Sequence, residues 1–296
     1  MIYTQDELIQ YCEDKNKRIY DLVLEDETKR SHRTEEQVLG EVQHMLDVMK
    51  ASSISYLERT GSTSMNLISG YTKKLETYSK SGDSLCNPNT IHLMALAFST
   101  MECNASMGKI VASPTAGAAG IVPAVLRLYM EEHEVKDEDL VKALLTATGV
   151  GQIIGHYANF AGAEGGCQAE TGSASAMGAA ALCELKGATI EEILNAASIT
   201  LINIMGLVCD PLGGIVEFPC GFRNASGAVN AYISADMARA HAFSVVPFEE
   251  VATAMGATGA TLPASLRETG LGGVAGTPTG MRIRNEFFQK EGHDGE

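Results

Sequence analysis

Three of the seven cysteines in this 296-residue chain stand in surroundings unlike those of the other four. Cys167 follows two glycines in Gly165-Gly-Cys-Gln-Ala-Glu170, Cys209 precedes Asp-Pro, and Cys220 lies in Phe-Pro-Cys-Gly. Glycine and proline interrupt helices and central strands, so all three cysteines read as loop residues. A loop can turn backbone N–H groups toward sulfur and so support anionic thiolates gathered round a metal centre. Zinc sites usually pair their cysteines two to four residues apart, and the eleven positions from Cys209 to Cys220 do not fit that pattern. Three thiolates rather than four would leave a metal position open for substrate, as catalysis requires. Cys12, Cys86, Cys103 and Cys183 fall on or beside helical patterns and read as small buried hydrophobes.

Two glycine-bearing stretches invite comparison with nucleotide-binding loops. Gly149-Val-Gly-Gln-Ile-Ile-Gly155 has its third glycine one position late for a dinucleotide fingerprint and follows a helical pattern rather than a strand. Ser113-Pro-Thr-Ala-Gly-Ala-Ala-Gly120 has the glycines of a phosphate cradle but not the Gly-Lys-Ser/Thr of a Walker loop. Its Ser-Pro start suits either a nest of N–H groups aimed at an anion or a plain helix-start turn.

The elements that must position these residues read as helices throughout. Residues 1–60 are amphipathic, with capping-box spacing at Thr4 and Glu7 and again at Thr34 and Gln37. Val38, Val42, Met45, Leu46 and Met49 then recur at helical intervals, as a core-facing stripe does. From residue 61 the composition turns to Ala, Gly, Ser and Met, with helices expected at 90–103, 120–132, 137–148, 173–185, 189–205, 226–242 and 247–258. Small residues on helix faces allow close approach, so these helices are expected to pack tightly. No segment alternates as a strand with hairpin turns would, and no repeat of solenoid length appears. The expected fold class is all-α: an N-terminal helical segment over 1–60 packed on the core, a single catalytic domain with glycine-rich loops over 61–285, and a frayed tail over 286–296.

Composition limits the partners. The 22 basic and 37 acidic residues give a formal charge of −15, which argues against nucleic acid or an anionic membrane surface. No apolar run reaches the length of a bilayer span, and the first residues lack the pattern of a signal peptide. An odd number of cysteines without a small-domain framework points to a reducing compartment, so the cytoplasm is expected.

Taken in order, Ser113-Pro-Thr-Ala-Gly-Ala-Ala-Gly, Gly165-Gly-Cys-Gln-Ala-Glu-Thr-Gly-Ser-Ala-Ser, Cys209-Asp-Pro-Leu-Gly-Gly-Ile-Val-Glu and Pro219-Cys-Gly-Phe-Arg-Asn closely resemble the alpha chain of the bacterial iron–sulfur-dependent L-serine dehydratases. Leu266-Arg-Glu-Thr-Gly-Leu-Gly-Gly and Thr277-Pro-Thr-Gly extend the resemblance over nearly the whole chain. It implies an all-helical catalytic domain with a [4Fe–4S] cluster on Cys167, Cys209 and Cys220, and conversion of L-serine to pyruvate and ammonia by Lewis-acid-assisted β-elimination, a step of amino-acid catabolism. It further implies substrate contacts from Ser113, Thr115, Ala116 and Gly117, with helix capping as the alternative role for the two hydroxyls. Arg223 and Asn224 are expected around Cys220, either supporting the ligand or fixing the loop. Glu170 and His156 are candidate catalytic residues, although a lone histidine beside an apolar helix is more often structural.

Two loops depart from the family pattern. Ile68-Ser-Gly-Tyr71 stands where Thr-Gly-Gly-Asp is usual, and Tyr157-Ala-Asn-Phe-Ala-Gly162 where Asn-Ala-Ser-Ile-Ser-Gly is usual. They motivate an alternative reading, a related cluster lyase acting on another β-substituted amino or hydroxy acid. A non-catalytic scaffold of the same fold is a second alternative, disfavoured because all three cysteines are present. The family's Gly-Pro-Ser-Ser-Ser-His-Thr motif belongs to a beta domain or chain and is absent from this sequence. The expected partners are therefore a small amino-acid substrate, a separate beta subunit and further copies in an oligomer.

Overall fold

The computed structural model describes residues 1–293 of the chain. Among the described residues it is helical throughout and has no strand; one isolated parallel bridge joins Cys209 to Arg267. Helices α1 (Gln5–Lys15), α2 (Ile19–Ser31) and α3 (Glu35–Glu58) open the chain. After them come α4 (Tyr71–Ser79), α5 (Pro88–Ala105), α6 (Ile121–Glu132), α7 (Asp137–Tyr157) and the single turn α8 (Gly162–Gly165). The order closes with α9 (Ser173–Leu185), α10 (Ile190–Ile204), α11 (Cys220–Arg239), α12 (Phe248–Thr261) and α13 (Pro278–His293).

Helix α9 is the axis of the core and packs against α6, α7, α10 and α11. Its Ser-Ala-Ser-Ala-Met-Gly-Ala-Ala-Ala run buries almost every side chain, which only small residues permit on a helix surrounded on all sides. One apolar core runs from Leu8 and Ile19 in the N-terminal helices through Leu145 and Ala180 to Met255. The N-terminal segment is tied to α9 by the Arg18 guanidinium, which donates to Glu184 at 3.0 Å and to the Ala188 carbonyl at 2.8 Å.

Capping follows the expected chemistry at one of the two places named above, and the same chemistry recurs before α10. Thr34 with Gln37 and Thr189 with Glu192 form reciprocal capping boxes. Thr4 instead spends its hydroxyl on the Glu7 carboxylate at 2.6 Å and accepts nothing from the helix it precedes. The expected 90–103 helix begins at Pro88, suited to a first turn whose N–H groups have no helical acceptor, with Asn87 accepting from the Asn89 N–H.

Larger differences arise where glycine or proline was read as a break. Helix α7 continues past residue 148 to Tyr157 because Gly149 serves packing: a Cβ there would lie 2.5 Å from Ile19 of α2. Helix α11 begins at Cys220 rather than near residue 226, since a proline immediately before a helix removes no helical hydrogen bond. Helix α4 lay outside the expected set. The segment read as a frayed tail carries α13 as far as His293, and residues 294–296 lie outside the described residues.

Candidate active site

The three singled-out cysteines, each free of disulfide and buried, come from three different local structures. Cys167 directly precedes a five-residue π-helical turn, Gln168–Gly172, which runs straight into α9. A π turn widens the backbone spiral by one residue and is frequent at functional sites. Here it places the Thr171 hydroxyl 3.0 Å from the Cys167 sulfur. Cys220 is the first residue of α11, where the free N–H groups and the helix dipole favour a thiolate. Only Cys209 is held as an extended loop residue. Its N–H donates to the Leu266 carbonyl at 2.9 Å, and its carbonyl accepts from the Glu268 N–H at 2.7 Å. Two of the three are thus helix-start residues, a correction to the loop reading.

The thiols act on one another. Burial pushes Cys209 well above the ordinary thiol range, and the charges of Cys167, Glu170 and Cys220 push it further. Cys220 is raised by burial, then by Cys167 and Glu170, with Arg223 opposing. For Cys167, burial again raises the thiol while the Arg223 guanidinium works against it. Among the described residues, no three His, Cys, Asp or Glu side chains converge closely enough to hold a single metal ion.

Glu170 belongs to the same group. Burial raises its carboxyl, the Glu268 charge adds to that, and hydrogen bonding from Thr115 opposes it. Thr115 Oγ1 donates to one carboxylate oxygen at 2.7 Å, and the Cys209 thiol approaches the other at 3.7 Å. Two glycines make room for this carboxyl. A Cβ on Gly117 would lie 2.8 Å from Oε1, and one on Gly162 would lie 2.6 Å from Oε2 and 2.8 Å from the Cys209 sulfur. The last residue of the variant 157–162 loop therefore touches both a cysteine and the buried acid.

The 113–120 segment lies against this acid. Ser113 is buried, and its hydroxyl has no hydrogen-bond partner. The N–H groups of Ala118 and Ala119 close a short 3-10 turn, Ala116–Ala118, and Gly120 N–H donates to Asn224 Oδ1 at 2.9 Å. The first N–H groups of such a turn, those of Ala116 and Gly117, have no acceptor within it. Asn224, fully buried, also donates from Nδ2 to the Gly117 carbonyl at 2.7 Å and the Cys220 carbonyl at 2.8 Å. It fastens the 113–120 segment to the helix that starts with Cys220. Thr115, Glu170, Arg223 and Asn224 are thus brought together with the cysteines, and Ser113 lies two residues before Thr115.

His156 is not. Its exposed ring stacks on Tyr3 at 4.0 Å between centroids, near the N-terminus, as a surface packing residue does. The sequence reading also missed three buried carboxylates. Glu217, three residues before Cys220, accepts from Thr63 Oγ1 at 2.7 Å, from Leu67 N–H at 3.0 Å and from Met65 N–H. Glu102 accepts from the N–H groups of Gly70 and Thr72. Glu217 thus holds residues 63–67, and Glu102 holds the variant 68–71 loop that follows them. Asp210, beside Cys209, pairs with Arg223. The only signal for Glu102 was a charge inside an otherwise apolar helical pattern. Beside the site, an apolar groove of about 1080 Å³ is lined by Tyr71, Phe98, Phe222 and Val229. None of the cysteines Cys167, Cys209 and Cys220 lines it.

A family profile described as serine dehydratase alpha chain matches residues 14–275. The L-serine dehydratase alpha chain of Peptoniphilus asaccharolyticus is 52% identical over 292 residues, covering 99% of this chain and 100% of that one. An alpha chain from Bacillus subtilis (strain 168) is 44% identical over 283 residues, covering 95% of this chain and 94% of its own. The L-serine dehydratase of Streptomyces coelicolor is 36% identical over 280 residues, which make up 92% of this chain but 60% of that longer one. The chain belongs to the serine dehydratase alpha-chain family. No helix among the described residues is long and apolar enough to cross a membrane.

Proposed function

We propose that this chain is the alpha chain of an L-serine dehydratase, a lyase that converts L-serine to pyruvate and ammonia with a [4Fe–4S] cluster on Cys167, Cys209 and Cys220. The observation that carries the reading is the meeting, in one buried site, of three thiols from segments far apart in sequence with one carboxyl and one guanidinium. The donor set fits such a group: soft sulfurs, none in a disulfide, two of them at helix starts. When bound, the cluster supplies a Lewis-acidic iron that eases departure of the substrate's β-hydroxyl.

The chain's own residues do the rest. The Ser113 hydroxyl, buried and unpaired, donates to the substrate carboxylate together with the N–H groups of Ala116 and Gly117. A carboxyl that burial holds toward its neutral form can release its proton to a departing hydroxide, and Glu170 takes that role at its Oε2. Thr115 Oγ1, bonded to Oε1, fixes which oxygen is free to do so. Asn224 keeps the two substrate-binding segments in register. No histidine is among these groups, and we assign the base that takes the Cα proton to a separate beta chain. The resulting enamine tautomerises and hydrolyses to pyruvate and ammonia without further help.

Anaerobic reconstitution with iron and sulfide, followed by iron counting and a pyruvate assay with and without the beta chain, tests the reading. About four irons per chain are expected, with pyruvate formed only when both chains are present. One iron or none per chain overturns it.

A further inference from the structure

Arg223 is one helical turn beyond Cys220 on α11, at the i, i+3 spacing that places two side chains on one face. Its guanidinium reaches across to the segment carrying Cys209 and clasps it on both sides. Nη1 donates to the Val208 carbonyl at 2.7 Å, and Nη2 to Asp210 Oδ1 at 2.6 Å. The same positive group is near enough to the third sulfur, that of Cys167, for its charge to favour the thiolate there. One side chain therefore touches the surroundings of all three cysteines, although they come from three separate segments.

The clasp is itself braced. Asp210 is buried, and its second oxygen accepts from the Val274 N–H at 2.7 Å. Gly273 closes over it in left-handed backbone at φ +57°, where a Cβ would sit 2.1 Å from Oδ2. A guanidinium that divides its N–H groups between a backbone carbonyl and a buried carboxylate, itself held from behind by a backbone N–H, is a directional arrangement. Three thiolates carry three negative charges, beside Glu170, into a buried site, and uncompensated charge there is strongly disfavoured.

Resting on the cluster reading above, we infer that Arg223, braced by Asp210, is a positioning residue that holds the three cysteines in place and supplies their counter-charge, so governing how tightly the iron is kept. It does not touch substrate. Its fork sets the spacing between the Cys209 segment and α11, and its charge offsets that of the sulfurs. Net charge and hydrogen bonds around cluster sulfurs set both retention and reduction potential.

The test compares wild type with Arg223→Lys, Arg223→Met and Asp210→Asn after anaerobic reconstitution with iron and sulfide. Iron per chain, iron release to a ferrous chelator, the midpoint potential of the bound cluster and the melting temperature of the iron-free chain are measured. Arg223→Lys keeps the charge but not the fork, so it should load iron and release it about 10-fold faster. Asp210→Asn should do the same. Arg223→Met should load poorly, and whatever cluster it holds should show a lower midpoint potential, because a nearby positive charge favours the added electron. Iron uptake, release and potential matching wild type in the Lys and Asn variants overturn the inference, even if their melting temperatures fall. Should Arg223→Met not fold, those two variants decide the matter. A wild-type chain that takes up no iron overturns the cluster reading itself and this inference with it, which distinguishes the two failures.

Discussion

Two groups of ionisable side chains in this molecule respond to their surroundings in opposite ways. In the cysteine site, Cys167, Cys209, Cys220 and Glu170 are all raised, so each is pushed toward its neutral form. In the second group, His92 of α5 lies between Glu76 of α4 and Glu131 of α6, with Lys80 and Arg127 on the outer sides of the two carboxylates. There the histidine is raised and both carboxyls are lowered, so each group is pushed toward its charged form. The second group alternates in sign and is satisfied by its own members. The first gathers acids whose charged forms repel, with the Arg223 guanidinium set against them. A fold keeps such an arrangement when something positive is to be bound, and that contrast separates a site from a structural tie.

The sharpest way to break the contrast is to remove one acid of the first group. Cys209→Ala should abolish iron binding and lower serine turnover at least about 100-fold. Cys183→Ala is the matched control. Cys183 is also buried, its thiol pushed up to about 12 chiefly by burial, yet it sits in the last turn of α9 within the apolar core. That variant should keep its iron and its turnover and lose only packing. Equal iron loss in both would show that buried thiols in general, and not this group, hold the metal.

Crowding the first group without removing a member comes next. Gly162→Ala would place a methyl within 2.8 Å of both Glu170 and Cys209, so one of them must move. Displacements of that order at a reacting centre cost about 10- to 100-fold in rate, and turnover should fall by that much while the chain still folds. Iron content together with kcat separates a shifted cysteine from a shifted acid. Loss of kcat with iron intact assigns the effect to Glu170. Unchanged turnover would remove Glu170 from the chemistry.

A third change leaves the acids alone and loosens what carries them. Asn224→Ala deletes two hydrogen bonds to the 113–120 segment and a third to the Cys220 carbonyl at the start of its own helix, α11. Leaving the Gly120 N–H and the Gly117 carbonyl without the Asn224 amide should destabilise the chain by about 2–3 kcal/mol in denaturant unfolding. A loss under about 0.5 kcal/mol would mean that water replaces the side chain.

How much of this was legible in the sequence follows from what fixes each feature. The helices with strong periodicity and side-chain caps, such as Glu35–Glu58 and Ile190–Ile204, were readable because local chemistry alone determines them. The start of α11 at Cys220 was not. Gly221 and Pro219 are locally indistinguishable from a loop, and a tertiary contact decides the matter: the Phe98 ring fills the place of a Gly221 Cβ. The π turn that lifts Cys167 and Glu170 into the site leaves no periodic trace at all. Of the candidate site, the cysteines, Ser113 and Thr115 were marked by their motifs. What Arg223 and Asn224 do was not, because their partners lie on segments that only folding brings near. For His156 the structural role was already the commoner expectation, but its ring partner Tyr3, more than 150 positions away, could not be named from sequence.

The smallest change sharpens the contrast from the other side. His92 donates from both ring nitrogens to carboxylates, which only the protonated ring can do. The hydrogen bond to Glu131, with that to Glu76, raises its folded pKa above the usual histidine value despite burial. Its stabilisation is therefore whole below about pH 6.5 and fades as the pH climbs through the raised folded value. Burial alone would raise Glu76 and Glu131, but hydrogen bonds from Lys80 and His92, and from His92 and Arg127, bring both below the usual carboxylate range. Their share is whole above about pH 4.5 and is lost as the pH falls through the lowered values. The tie is thus strongest between about pH 4.5 and 6.5. His92→Gln should cost roughly 1 kcal/mol near pH 6, or about 2 °C in melting temperature, and the gap to wild type should shrink by about pH 9. Iron content should stay unchanged at both values, because this group shares no member with the cysteine site. A gap that stays constant across that range would mean the imidazole contributes packing alone, and the opposition between the two groups would lose its second half.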